Sequence, residues 1–241
     1  MIKNNKVLAV ITARGGSKSI PLKNLYKLNK KPLISYNIDV AKKSFGKSID
    51  YLICSTDNKK IKNYCLSKKI KVHDRSKKNS KDKSKSADVL YEVLNDFKKQ
   101  FNFYPEFIIL FQPTSPFILT DHIEKILTKL KNNKKLQTVQ TISTFSHNFH
   151  AFNQRIFKNN RIKWAFKKQR ILAHNKQLKP KYYKFGNLVA IRSMHILNKG
   201  DCFGNISSGI VIPPEYSYDL DTYDDISYGE YLINSKKIKF T

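Results

Sequence analysis

Four short apolar runs, Val7–Ile11, Tyr51–Ser55, Phe107–Phe111 and Thr138–Ile142, are separated by stretches in which apolar residues recur at helical spacing. Runs this short and this continuously apolar read as strands covered on both faces. Strands that alternate with helices pair in parallel through crossovers, so the pattern predicts an α/β fold: a doubly wound, mostly parallel sheet with helices on both faces. Pro32 opens one helical stripe, carried by Leu33, Ile34, Tyr36, Asn37, Val40 and Ala41. Ser86 is a cap candidate for another, carried by Val89, Leu90, Val93, Leu94 and Phe97. Such sheets bind ligands at the carboxyl ends of their strands, and three polar motifs start where an apolar run stops: Arg14 to Lys23, Ser55 to Asp57, and Gln112 to Pro116.

The first motif says most about chemistry. Thr12-Ala13-Arg14-Gly15-Gly16-Ser17-Lys18-Ser19-Ile20-Pro21-Leu22-Lys23-Asn24 places two glycines and three cations directly after a buried strand. Glycines let backbone amides approach an anion, and Arg14, Lys18 and Lys23 supply charge for a polyphosphate. No Gly-Lys-Ser/Thr closes the loop as in a P-loop, and the Gly-x-Gly-x-x-Gly spacing of dinucleotide binders is missing. On these residues alone, a glycine turn with solvated lysines remains the alternative.

At 241 residues the chain fits one domain, residues 1–241. No run approaches a membrane span and the N-terminus shows no apolar leader, so the cytoplasm is the expected compartment. Cys54, Cys65 and Cys202 lack Cys-x-x-Cys spacing and read as reduced structural residues. The net charge of +28 points to nucleic acid at first sight. Arginine, however, is confined to positions 14, 75, 155, 161, 170 and 192, and the dispersed lysines lack the arginine fork that reads base edges. No specific nucleic-acid partner is expected, although a positive field helps to collect anionic substrates.

Asp219 and Asp221 lie two apart, which in extended backbone sets both carboxylates on one face as hard ligands for a cation such as Mg²⁺. Thr222, Asp224 and Asp225 allow the other reading, an acidic turn capping a last helix. Between about residues 145 and 185 the pattern loosens into aromatic and basic residues, an insertion within the domain. Arg75 to Ser86 is a polar, low-complexity run that reads by itself as a solvated linker. His147 and His150 lack a third ligand nearby and read as part of a structural turn.

Taken in order, the residue 13–24 loop, Ser55-Thr56-Asp57, Gln112-Pro113-Thr114-Ser115-Pro116 and Asp219-Leu220-Asp221-Thr222 resemble the acylneuraminate cytidylyltransferase (CMP-sialic acid synthetase) family over nearly the whole chain. The resemblance implies a Rossmann-like nucleotidyltransferase fold, with the 145–185 insertion as an arm crossing to a second subunit of a homodimer. It implies Mg²⁺-dependent transfer of CMP from CTP to the anomeric hydroxyl of a sialic-acid-like nonulosonate, with release of pyrophosphate, for surface glycan synthesis. Arg14, Lys18, Lys23 and Asp221 would carry catalysis, and Asp219 and Asp221 the metal. Ala13, Arg14, Gly15, Gly16, Ser17, Lys23, Asn24, Arg75 and Ser86 would bind nucleotide. In this frame the 75–86 run becomes a wall of the cytosine pocket, matched by Arg75, Asp82, Ser86, Asp88 and Val89. Asp225 matches a third aspartate of structural character.

Gln112, Lys176, Gln177, Tyr183 and Asn187 would bind the sugar. Here the match is weaker: Lys176 stands where the family has arginine, and Gly186-Asn187 inverts its Asn-Gly order, which points to a sugar other than N-acetylneuraminate. A cytidylyltransferase for another keto sugar acid, of the octonate type, and a non-catalytic nucleotide- or nucleic-acid-binding protein are the alternatives.

Overall fold

Strand β1 (Ile2–Thr12) occupies the middle of the sheet because its core segment is apolar on both sides. Val7, Ala9 and Ile11 face one helical layer, Leu8 and Val10 the other, and all five are essentially inaccessible to solvent. In the computed structural model, which describes residues 1–240, the chain continues through a two-stranded turn, β2 (Lys27–Leu28) and β3 (Lys31–Pro32), into α1 (Leu33–Lys43). Then follow β4 (Tyr51–Thr56), α2 (Lys59–Ser67), β5 (Lys71–Asp74), α3 (Ser86–Phe101), β6 (Tyr104–Phe111), α4 (Thr120–Asn132) and β7 (Thr138–Ser143). The arm contributes β8 (Arg155–Lys158), β9 (Arg161–Trp164) and α5 (Lys167–Leu172). The chain then returns through β10 (Lys184–Arg192), α6 (Ser193–Leu197), β11 (Ser207–Val211) and α7 (Tyr223–Asn234).

The main sheet has seven strands in the order β11-β7-β10-β6-β1-β4-β5. Only β10 runs against the others, antiparallel to both β6 and β7. Helices α1, α2 and α4 bury their stripes on one face and α3 and α6 on the other, as the doubly wound pattern predicts. After β1 the chain pairs first on the β4 side and later on the β6 side, which opens a crevice at the carboxyl ends of these strands. Among the described residues, no helix is long and apolar enough to cross a membrane.

Three sheet strands were not evident as apolar runs. β5 and β11 are edge strands with only partial burial, and β10 begins, at Lys184, inside the stretch assigned to the insertion. Ser86 is the first residue of α3 and not its cap; Lys85 holds that position without a side-chain bond.

A third apolar cluster brings the C-terminal segment to the crevice. Ile20, Leu28, Leu33, Phe117, Leu220 and Ile226 pack together, which fixes the loop after β1 against the residues before α7. The arm, by contrast, has its own small sheet of β8 and β9, outside the main one.

Candidate active site

Leu220 is fully buried, and its N–H donates to the Thr114 carbonyl at 2.8 Å. The residues on either side of it are therefore turned outward; both flanking aspartates keep contact with solvent, and the carboxyl of Asp219 is partly covered where it meets Ser115. Asp221 lines a crevice of about 440 Å³ together with Arg14, Lys18, Lys23, Arg75, Ser86 and Gln112. Thr222 and Asp225 form the capping box of α7: Asp225 Oδ2 accepts from the Thr222 N–H at 2.8 Å, and Thr222 Oγ1 accepts from the Asp225 N–H at 3.3 Å. The helix start thus takes Asp225 and leaves Asp221 to the crevice, whereas Asp219, read from sequence as the second metal ligand, meets Ser115 and is not among the crevice-lining residues.

Each cation of the loop has a carboxylate partner. Lys23, only 12% exposed, places Nζ 2.6 Å from Asp221 Oδ1. Arg14 Nη1 lies 2.7 Å from Asp82 Oδ1 and Lys18 Nζ 2.6 Å from Asp82 Oδ2. The bonds from Lys18 and Arg14 hold the Asp82 carboxyl below the usual range. One carboxylate on the 75–86 loop thus bridges the two cations in the manner of a phosphate.

Desolvation pushes the Asp219 carboxyl up, with the Asp221 charge adding to it, while bonds from Thr114 and Ser115 and the Lys23 charge oppose the shift. Ser115 Oγ donates to Asp219 Oδ1 at 3.2 Å. Among the described residues no group of three or more His, Cys, Asp or Glu is placed to hold a metal ion, so Asp219 and Asp221 would hold a divalent cation only together with oxygens from a bound ligand. The donor set therefore fits Mg²⁺ brought by a nucleotide.

The other loop residues act through the backbone. Asn24 Nδ2 donates to the Arg14 carbonyl at 2.8 Å and Ser19 Oγ to the Asp221 carbonyl at 2.5 Å. Gly15 gives its N–H to Asp57 Oδ1 at 2.8 Å, and a Cβ there would lie 2.6 Å from Asn58 Cβ. Its need for glycine is therefore close packing against the cap of α2, and neither Gly15 nor Gly16 has a positive φ. Arg75, 9% exposed, donates from Nη2 to the Ser55 carbonyl at 2.8 Å and from Nε to Ser55 Oγ at 3.2 Å.

Of the nucleotide set read from sequence, Arg14, Gly16, Ser17, Lys23, Asn24, Arg75 and Ser86 line the crevice, as do Lys18 and Gln112. Ala13 and Gly15 do not: Ala13 is buried, its N–H bonded to the Ser55 carbonyl at 2.9 Å.

The sugar set is corrected more deeply. Asn187 is 1% exposed; its Nδ2 donates to the carbonyls of Phe117 at 2.8 Å and Tyr216 at 3.0 Å, and its Oδ1 accepts from Thr141 Oγ1 at 3.0 Å. An amide so fully used inside the core has nothing left for a ligand. Lys176, Gln177 and Tyr183 lie at the arm and do not line the crevice of their own chain.

Sequence reasoning missed Asn79, Lys81 and Ser84 as crevice residues. They sit in the lysine- and serine-rich run, where composition masks any individual signal.

Residues 8–206 match the family described as Cytidylyltransferase. The chain belongs to the cytidylyltransferase family. Among curated members, an N-acylneuraminate cytidylyltransferase of Streptococcus agalactiae is 29% identical over 222 residues, covering 91% of this chain and 51% of the relative. The chain thus spans about half the length of such streptococcal relatives. A pseudaminic acid cytidylyltransferase of Campylobacter jejuni is 28% identical over 232 residues, covering 94% of this chain and 96% of the relative. A solved CMP:2-keto-3-deoxy-manno-octonic acid synthetase complexed with CTP superposes with a TM-score of 0.70 at 16% identity, covering 96% of this chain and 99% of that one, a likeness of fold. The matched residues include the ordered motifs at the carboxyl ends of β1, β4 and β6.

Proposed function

We propose that this cytidylyltransferase moves CMP from CTP to the anomeric hydroxyl of a nonulosonate, a sugar acid of the class named in its relatives. The observation that carries the reading is the meeting of Arg14, Lys18 and Lys23 with Asp221 in one crevice beside Arg75. The cations would neutralise the triphosphate, while Arg75 and Ser86 wall the nucleoside end. The acceptor oxygen bonds to the α-phosphorus, the bond from that phosphorus to the bridging oxygen breaks, the hydroxyl proton passes to solvent, and pyrophosphate leaves with the bonding electrons on its oxygen. Asp219 and Asp221 would hold Mg²⁺, which when bound supplies neutralisation of the triphosphate oxygens. Lys23, paired with Asp221, orients that carboxylate toward the triphosphate end of the crevice.

Lys176, Gln177 and Tyr183 stand away from their own crevice, and the arm exposes Ile156, Phe157, Ile162, Ile171 and Leu172. Both features support a homodimer in which each arm serves its partner's sugar site. Product formation tests the reading: CTP, Mg²⁺ and a panel of nonulosonates and octonates, with pyrophosphate release and CMP-sugar measured together. Release with a nonulosonate is expected. Turnover of octonates alone, or of no keto acid, would overturn it.

A further inference from the structure

Behind the nucleotide wall a row of polar groups runs from α3 to Arg75. His73, on the edge strand β5, has a side chain 5% exposed; its Nε2 lies 3.2 Å from Asp96 Oδ2 and 3.8 Å from Glu92 Oε1. On its other side Nδ1 is 3.0 Å from Ser55 Oγ, the same oxygen that accepts from Arg75 Nε at 3.2 Å. None of the chemistry proposed above uses His73, Glu92 or Asp96.

We propose that His73 is a positioning residue for nucleotide binding, acting through Ser55 on Arg75. This rests on the reading that Arg75 walls the CTP site. The steps follow from which groups can donate. Nε2 faces the Asp96 and Glu92 carboxylates without a hydrogen bond to either, but two negative charges beside it favour the proton on that nitrogen, so Nδ1 presents a lone pair. Ser55 Oγ–H then donates to Nδ1, which leaves the serine oxygen lone pairs for Arg75 Nε–H. A protonated ring would reverse the second step: Nδ1–H would compete with the guanidinium for Ser55 Oγ, and the hydroxyl hydrogen would lose its acceptor inside the protein.

The surroundings keep the ring neutral. Burial lowers the His73 pKa, assisted by Arg75, while Glu92 and Asp96 on α3 and Asp74 on its own strand oppose the shift. Lys71, two residues earlier, has its Nζ over the Phe101 ring. Glu92 also accepts from the Ser76 N–H at 2.9 Å and from Asn79 Nδ2 at 2.6 Å, and Asn79 lines the crevice. One face of α3 therefore sets two parts of the wall, Arg75 through His73 and Asn79 directly.

The test compares wild type, Arg75→Ala, His73→Leu and His73→Asn by calorimetric CTP binding, by pyrophosphate-release kinetics and by thermal melting as a check on folding. An asparagine Oδ1 stands near the Nδ1 position and accepts from Ser55, yet does not titrate. His73→Leu is expected to weaken CTP binding and raise its KM about tenfold, with kcat and the sugar KM within about twofold of wild type. His73→Asn, which restores an acceptor for Ser55 Oγ, should stay within about threefold of wild type. The relay is overturned if His73→Leu folds and binds CTP like wild type while Arg75→Ala does not. It is also overturned if His73→Asn, folded as wild type, binds CTP as weakly as His73→Leu. A silent Arg75→Ala would instead refute the nucleotide role of Arg75, and with it the reading on which the relay rests.

Discussion

Lys23 Nζ and Asp221 Oδ1 stand 2.6 Å apart although 198 residues separate them in sequence. The pair joins the loop after the first strand to the segment before the last helix, and it does so because Leu220 is locked into the apolar cluster beneath. If the paired aspartates hold a metal beside a triphosphate, Asp221→Asn should lower turnover by about three orders of magnitude, since metal neutralisation of phosphate charge contributes several kcal/mol. Pyrophosphate release at saturating Mg²⁺ checks this. Near-normal turnover would remove Asp221 from the metal site.

Asp219 offers a stability prediction of the opposite sign. Its carboxyl is pushed up chiefly by desolvation, so the native state binds its proton more tightly than the unfolded chain does. The ionised residue then costs stability above its native pKa, and that cost disappears as pH falls through it. Asp219→Asn should melt at or above the wild-type temperature at neutral pH, with the difference closing on acidification, while turnover collapses. A variant that melts lower at neutral pH and stays lower in acid would show that the bond from Ser115 outweighs desolvation.

Asp82 occupies the two cations that a triphosphate needs. Its bonds to Arg14 and Lys18 must yield when phosphate oxygens bind, and all three side chains are solvent-accessible, so the exchange is cheap. Asp82→Asn should tighten CTP binding about two- to fivefold and steepen its salt dependence, because the freed cations lose their internal anion. Titration with CTP at two ionic strengths measures both effects. Weaker binding in the variant would mean that Asp82 organises the cations instead of competing for them.

The fold was legible because β1, β4 and β6 are covered on both faces and leave uninterrupted apolar runs, and the crevice was legible because three motifs each follow such a run. What escaped has physical reasons. β5 and β11 are partly exposed edges, and the crevice residues Asn79, Lys81 and Ser84 sit where lysine and serine are already frequent. Asn187 misled for the opposite reason. Its motif is distinctive, but that distinctiveness reflects a core amide that ties β10 to the Phe117 and Tyr216 carbonyls.

That network makes Asn187→Ala a folding variant. The substitution leaves the buried Phe117 and Tyr216 carbonyls without the Asn187 amide, at a cost of about 2–4 kcal/mol, while the Thr141 hydroxyl keeps the Leu188 carbonyl as acceptor. Chemical denaturation should show the loss, with the relative preference among sugar acids unchanged in the protein that remains folded. A shifted preference without a stability loss would return Asn187 to the sugar site.

The arm gives the last prediction. Phe157 and Ile162 are each 68% exposed on the β8–β9 hairpin, opposite one another in register, and Ile171 and Leu172 on α5 are 63% and 79% exposed. So much apolar surface on a small, separate sheet costs free energy in water, and two copies that cover it recover about 25 cal/mol per Å². Phe157→Asp with Ile162→Asp places charge at the centre of that surface while leaving the main sheet untouched. The double variant should sediment as a monomer where wild type sediments as a dimer. It should keep CTP binding, because residues of the same chain line the crevice, and, if the arm serves a partner's sugar site through Lys176, Gln177 and Tyr183, lose sugar-dependent turnover. A monomeric variant that retains full turnover would show that each chain binds its sugar alone, and a monomeric wild type would leave the exposed hairpin without this role.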